Sequence, residues 1–394
     1  MLKILHIVPT YLPAYRYGGP IASVHALNRA LVAQKHDVTV FTTNVDGPDN
    51  LKVPLGVPQI IDGVKVVYFP VGRFRSWFYS ADMRKALAEK TKGYDIVHIT
   101  SVFLSASALG AHYAKKSGVP YLISPRGSLM KDPLALKGTL KKKIYVSLIE
   151  RRNLAGAAAI HFTSEAEAAE YSVAGFPARK KVIVPNAFEA GPEEYAEPAA
   201  QRAPHFVALG RITEKKGFDT LFPAFKKVKE KIPDAVLVIA GNDERGYEQK
   251  ARKMAEEEHL SADDVKFLGM VVGEAKSELL RSATAFVLPS YSENFGMAPV
   301  EALAHGTAVV ITPEVGIAEE VRMAGVGIVA RKDVEEFAKA MVEIAKSEAQ
   351  GKPMGKKGPQ FVSEKFSPPK VAEAFEMAYT EIIASWPQKN RYSR

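Results

Sequence analysis

The sequence predicts an α/β protein made of two Rossmann-like parallel-sheet domains in series. Short, continuously apolar runs of strand length alternate with longer amphipathic segments. The alternation stops once, in a stretch rich in Pro, Ala and Glu, and then restarts. Runs apolar at successive positions belong to strands covered by helices on both faces, not to a half-wet sandwich. A chain of 394 residues is also long for one core and comfortable for two.

Lys3–Val8 is the first buried strand. Its apolar run is short, ends at Pro9 and lacks a small-residue cleavage site, so it reads as a strand and not as a targeting segment. A loop from Pro9 to Pro20 leads into a helix in which Val24, Leu27 and Leu31 recur at helical spacing. Asp37–Thr42, Val64–Phe69, Ile96–Ile99 and Tyr121–Ser124 are the next strands. Glu189 to Pro204 has no period and reads as a linker. The second array begins with strand His205–Leu209 and helix Phe218–Lys231. It continues through strands Ala235–Ala240, Val265–Leu268, Ala285–Leu288 and Ala308–Ile311, and after Ser367-Pro368-Pro369 comes a last helix, Val371 to Ser385. The expected organisation is a first domain over 1–190, a linker over 191–204, a second domain over 205–369, and a helix over 370–394 returning to the first domain. Two such arrays place a ligand at the carboxyl ends of their strands, in a cleft across which the domains face each other.

Composition narrows the function. There is no cysteine, which excludes disulfides, zinc–thiolate sites and thiol nucleophiles and suits a cytoplasmic location. No stretch approaches membrane-spanning length. The net charge of +9 is uneven, +12 over residues 1–190 and −3 over the rest, and a basic first half points to an anionic partner. Between Leu129 and Arg152 lie Lys131, Lys137, Lys141, Lys142, Lys143, Arg151 and Arg152, with apolar residues from Leu140 to Ile149 at helical spacing. That is either an ordinary helix with a solvated cationic face or a peripheral contact with the anionic inner face of a membrane. The run lacks the aromatic platforms of single-strand binders and no helix-turn-helix is evident, so nucleic acid is not an expected partner. No His, Asp and Glu cluster has metal-ligand spacing, and there is no Gly-x-Gly-x-x-Gly, which weighs against a metal site and against a dehydrogenase.

Two segments carry the chemistry. The first runs from Ser290 to Gly306, where a strand leads into a polar loop, then Gly296, then a helix beginning near Met297. Free N–H groups of Gly296, Met297 and Ala298 at such a helix start suit a diphosphate. Glu293 just before the helix and Glu301 one turn inside it can face one pocket and accept hydrogen bonds from sugar hydroxyls; taken alone, they also fit a dipole-favoured residue and a surface residue. The second segment is Gly210-Arg211-Ile-Thr-Glu-Lys-Lys216-Gly217, directly after a strand. Its cations and glycines make a phosphate cradle or a solvated basic turn.

Together these segments resemble the family-4 retaining glycosyltransferases, which have the GT-B fold. The resemblance rests on Glu293 and Glu301 as a Glu-x7-Glu pair and on the loop Gly210, Arg211, Lys216 and Gly217. Ala302 to Val310 and Val184-Pro185-Asn186 extend it. It implies that Arg211 and Lys216 hold a donor diphosphate and stabilise the leaving group. It further implies that Glu301 binds ribose hydroxyls, and that Glu293, with the backbone of Asn294, Phe295, Gly296 and Met297, orients the transferred sugar. Gly269, Met270 and Val271 would form the base-binding edge, and Gly18 and Gly19, before Pro20, match the glycine loop of the opposite domain. The donor implied is a nucleotide-sugar, with a lean toward UDP, used as co-substrate without a cofactor or metal. The acceptor implied is a glycan or lipid-linked oligosaccharide of polysaccharide biosynthesis. No Asp-x-Asp occurs, which removes the metal–diphosphate clamp of the other main glycosyltransferase fold.

One position departs from the family. Where His-Gly is common beside the reacting sugar, this chain has Ser124-Pro125-Arg126-Gly127. Arg126 is a poor proton acceptor; an acceptor phosphate, the donor's charge and loop carbonyls are its alternative partners. His98, Ser124 and Arg126 are therefore the acceptor-side candidates, with a core histidine the other reading of His98. Two rival functions remain at this level. One is a non-catalytic nucleotide-sugar or glycan binder of the same fold, and the other a sugar-nucleotide epimerase.

Overall fold

The apolar runs become the strands of two parallel sheets, each in its own unit. The computed structural model describes residues 1–14, 19–72, 75–130, 149–190, 204–243, 246–349 and 354–387. Gly18, most of the basic run (131–148) and the linker residues 191–203 lie outside the described residues. One unit comprises Met1–Glu189 and Phe366–Arg394, the other Ala190–Lys365.

In the first unit the strands are β1 (Lys3–Ile7), β2 (Asp37–Thr43), β3 (Val45–Asp46), β4 (Asp49–Asn50), β5 (Pro58–Ile61), β6 (Val64–Phe69), β7 (Ile96–Thr100), β8 (Tyr121–Ser124), β9 (Ala159–Phe162) and β10 (Lys181–Ile183). Eight of them form one sheet in the order β10-β9-β8-β7-β1-β2-β6-β5, while β3 and β4 make a separate ribbon. Neighbours in the large sheet are parallel except β5, which returns antiparallel along β6. The loop joining those two is Asp62-Gly63, with φ of 48° and 84°. Two successive positive φ values match the twist of a tight hairpin, and Asp-Gly is a strong local signal for it. The expected all-parallel sheet is corrected at this edge.

β1 shows why central strands read as unbroken apolar runs. Ile4 faces a layer with Val24, Leu27 and Leu31 of the helix Gly19–Ala33 and with Phe375 and Tyr379 of the last helix. Leu5 and Ile7 face the opposite layer, with Met83, Leu87, Ala106 and Tyr171. Successive side chains point to opposite faces, and both faces are covered. The last helix spans Pro368–Ser385, opening on two prolines whose missing N–H groups cost nothing in a first turn. It buries Val371, Ala372, Phe375, Ala378, Tyr379 and Ile382, one apolar stripe within the first unit's core.

The second unit has β11 (His205–Leu209), β12 (Val236–Ala240), β13 (Val265–Gly269), β14 (Ala285–Leu288), β15 (Val309–Ile311) and β16 (Gly327–Val329). Their order is β13-β12-β11-β14-β15-β16, with every pairing parallel. Counted from its own start, this unit runs third, second, first, fourth, fifth, sixth, the doubly wound order. Connections from β11 and β14 diverge to opposite sides, so the loops at their carboxyl ends part and leave a crevice for a ligand. Among the described residues no helix is long and apolar enough to cross a membrane.

Candidate active site

The crevice at the switch point falls where the two motif segments leave the sheet. Gly210 and Arg211 follow β11, and the Glu293 loop follows β14. A narrow opening there is lined by Gly210, Arg211, Lys216 and Leu288 among others. Lys216 ends a short 3₁₀ turn, Glu214–Lys216, and the next residue, Gly217, has φ 71° and opens the helix Phe218–Lys231. A Cβ on Gly217 would lie 1.9 Å from the Pro289 carbonyl oxygen. Only glycine lets the β11 loop press against the β14 loop in this way. The contact is fixed further by Ser290 Oγ and the Tyr291 N–H, which both donate to the Lys215 carbonyl, at 2.7 and 2.8 Å.

That approach brings the two motifs together. Lys216 Nζ reaches Glu293 Oε1 at 2.5 Å, both side chains being largely buried. Glu293 is also pinned through its backbone: its N–H donates to the Glu314 carbonyl at 3.0 Å, and its own carbonyl accepts from Gly316 at 2.8 Å. Phe295, buried at 2% exposure, anchors the loop and accepts from Ile317 through its carbonyl. Gly296, at φ 101°, caps the helix Met297–Ala304 without a side-chain hydrogen bond, so its first N–H groups keep their capacity for an anion. Asn294 and Met297 flank this turn, half-buried. Glu301, one turn into the helix, forms an ion pair with Lys276 of the helix Gly273–Arg281. Arg211 is exposed at the mouth of the same loop. At the end of β13, Gly269 (φ 68°) turns the chain; beyond it Met270 is 65% exposed, and Val271 is half-buried. Arg211, Lys216, Glu293, Gly296 and Glu301 thus belong to one end of one sheet.

The first-unit candidates fall differently. His98 and Ser124 are fully buried. His98 Nδ1 bonds Tyr379 Oη and its Nε2 bonds Ser124 Oγ, both at 2.7 Å; Ser124 Oγ also meets His161 Nδ1 at 2.7 Å. His98 stacks on His6 with ring centroids 4.1 Å apart. Burial holds His98 neutral, well below the usual imidazole range, and pulls His6 to about 4. The polar side-chain atoms of both residues are engaged inside the core, where His98 ties β7 to the last helix, the arrangement of a core histidine. Arg126 lies beyond them at the end of β8, only partly buried. Gly19 begins the helix Gly19–Ala33.

Comparison with known proteins shows the family and the fold. Residues 18–187 match the model for the glycosyl transferase 4-like domain, and residues 193–361 match that for glycosyl transferases group 1. The chain belongs to the family-4 glycosyltransferases of the GT-B fold. Mannosylfructose-phosphate synthase of Agrobacterium fabrum is 36% identical over 28% of this chain and 26% of its own length, so the match spans about a quarter of that relative. D-inositol 3-phosphate glycosyltransferase of Actinosynnema mirum is 27% identical over 73% of this chain and 76% of its own length. Sucrose-phosphate synthase from Thermosynechococcus elongatus shares the fold at TM-score 0.74, with 21% identity, 98% of this chain and 100% of that one. HepE of Anabaena, solved in complex with UDP-glucose, does so at TM-score 0.69, with 17% identity, 97% of this chain and all of that one.

Three parts of this family-4 site were not legible from its motifs. The loop Glu314–Gly316 holds Glu293 in place, and a Cβ on Gly316 would lie 2.2 Å from the Asn294 carbonyl oxygen. Gly241 after β12 has its Cβ position 1.8 Å from the Gly210 carbonyl oxygen. For Gly241 a glycine directly after a strand was the available signal; Gly316, five residues past β15, offers none of that kind. Lys276 carries no such signal; only the folded chain brings it to Glu301.

Proposed function

We propose that this protein is a glycosyltransferase that moves a sugar from a nucleotide-sugar, a UDP-sugar first, to a glycan or lipid-linked glycan acceptor, with retention and without a metal ion. The observation that carries the reading is the joining of Lys216 to Glu293 across the switch point of the second unit, at 2.5 Å. A cation and a carboxylate there match the two ends of the donor's reacting bond. Arg211, Lys216 and the open helix start at Gly296 would hold the diphosphate, and Glu293 would accept hydrogen bonds from the sugar. Charge grows on the leaving diphosphate as its bond to the anomeric carbon breaks. Fixed donors aimed at that charge act most strongly in the transition state, which lowers the barrier. Glu293 holds Lys216 in place; a diphosphate would compete for Lys216 and release Glu293 to the sugar. Glu301 would take the ribose hydroxyls, and the exposed face at Met270 would lie against the base.

Two cations in place of a metal support metal independence, as does the absence of Asp-x-Asp. The preference for uracil is supported by neighbours solved with UDP-glucose and with UDP-2-fluoro glucose. A lipid-type acceptor is supported by the phosphatidyl-myo-inositol mannosyltransferase of Mycolicibacterium smegmatis, 38% identical over 26% of this chain. Retention follows from front-face attack, in which the leaving oxygen takes the acceptor's proton; NMR of the product with an inverted anomeric centre would remove that mechanism. The work is assigned to the cytoplasmic side, with the basic segment after Leu129 touching anionic lipid. Failure to sediment with anionic liposomes at low salt would end that last assignment.

The test of the whole reading is a melting scan with UDP, GDP, ADP and their sugar conjugates. A ligand at 100 times its Kd adds about 2.7 kcal/mol, enough to raise the midpoint by several degrees. The expected result is a shift with one base that Arg211→Ala abolishes. No shift with any nucleotide overturns the reading.

A further inference from the structure

We propose that Arg126 is the anchor of an oxyanion site in the first unit, taking a phosphate or carboxylate group. β8 ends at Ser124, and after Pro125 come Arg126 and Gly127, both at positive φ, 54° and 76°. A non-glycine residue in this region is strained and persists only where its surroundings hold it there.

They do so through Glu167, a carboxylate 2% exposed in the helix Glu165–Val173. One oxygen accepts from the Gly127 N–H at 2.5 Å; the other accepts from the Thr163 N–H at 2.8 Å and the Thr163 hydroxyl at 2.9 Å. The strained turn is therefore clamped from below by a carboxylate whose hydrogen bonds go to neutral donors and which offsets part of the Arg126 charge without pairing with it.

The guanidinium that this turn carries is poorly matched. Nη1 donates to Ser23 Oγ at 3.4 Å and to Asn186 Oδ1, both neutral acceptors, and among the described residues the buried Nε has no hydrogen-bond partner. Among the described residues no carboxylate lies within ion-pair distance of it. Desolvation pulls its pKa down to about 10, and its charge in turn helps to keep His6, His98 and His161 neutral. Ser23 sits in the first two turns of the helix Gly19–Ala33, whose first turn has no acidic side chain, so the helix adds positive potential. A desolvated cation that the nearby Glu167 offsets only in part, with no carboxylate at ion-pair distance among the described residues, favours an added anion. The planar fork of arginine selects a group with two oxygens in one plane, which phosphate and carboxylate both present. An arginine placed only to tie loops together would spend its donors on carbonyl oxygens; this one spends a single nitrogen on two side chains.

The site stands apart from the donor reading, which rests on the second unit. Its anion comes either from the donor's phosphates or from an anionic acceptor. Both tryptophans, Trp77 and Trp386, lie in the first unit, so their fluorescence reports its melting alone. The experiment melts the full chain by that signal, with sodium phosphate against sodium chloride at equal ionic strength, and then with UDP. Phosphate is expected to raise the wild-type midpoint, and equally that of Arg211→Ala. Arg126→Met is expected to melt higher than wild type without ligand, because a desolvated charge that Glu167 offsets only in part is gone, and to weaken phosphate by ~10–100-fold. Arg126→Lys, which keeps the charge but loses the fork, retains part of the phosphate effect. Two results overturn the proposal: no phosphate effect in the wild type, or one that survives Arg126→Met. So does an Arg126→Met protein that melts lower without ligand, which would make Arg126 a structural tie. With the site upheld, loss of the UDP shift in Arg126→Met assigns the anion to the donor, and its retention assigns it to the acceptor.

Discussion

At Gly217 a single methyl group would collide with the Pro289 carbonyl and strain a backbone at φ 71°. Left-handed strain costs about 1–3 kcal/mol and the overlap adds to it. Gly217→Ala should therefore lower the second unit's stability by at least about 2 kcal/mol, seen calorimetrically, and should part Lys216 from Glu293. Arg211→Ala tests charge stabilisation directly: a fall of about 10²–10³ in kcat is expected if Arg211 meets the leaving group. If Glu301 binds the ribose hydroxyls as proposed, Glu301→Ala should weaken UDP by roughly tenfold or more yet leave 2′,3′-dideoxy-UDP unaffected. Equal losses for both nucleotides would move Glu301 out of the ribose role. The residues in these tests differ in how they announce themselves. Arg211, Lys216, Glu293 and Glu301 stand at fixed spacings in two short segments, so a sequence displays them. The shell of His98 cannot be displayed in that way, because Tyr379 is 281 positions away and only folding makes it a neighbour.

Among the elements, legibility follows burial and length. β1, β2, β11 and β14 are central and largely buried, with runs of apolar residues that make their positions plain in the sequence. β10 and β16 have three residues each, with partial exposure, and offer no periodic signal. β5 is an edge strand with alternate residues exposed, recoverable only from its Asp62-Gly63 turn. The last helix is the element on which the first unit's polar interior depends. Tyr379→Phe leaves the packing intact but strips His98 Nδ1 of its partner in a dry site. A loss of about 1–3 kcal/mol is expected in the tryptophan-detected melt.

The interior also sets the response of the molecule to acid. His6, His98 and His161 are buried and neutral, with folded pKa values below the unfolded 6.5, to about 4 for His6 and about 3 for His161. The unfolded chain therefore binds more protons than the folded chain below 6.5. The stabilisation is complete above that pH and declines as pH falls toward 4, by about 1.4 kcal/mol per pH unit for each histidine. Tryptophan-detected melts from pH 8 to 5 should be flat at first and then fall. A flat profile throughout would place protonated histidines in the core.

The first unit is made of two stretches of chain, 1–189 and 366–394, on either side of the second. Where the chain leaves and returns, the Phe188 N–H meets the Phe366 carbonyl at 2.8 Å, so the intervening unit departs and re-enters at nearly one point. For a ribosome this fixes an order of events. The second unit has all its strands in hand while the first still lacks the helix that seats His98. The half made first must wait, partly open, until the half made second is complete, and nascent chains halted before residue 366 should hold a folded second unit beside a protease-sensitive first.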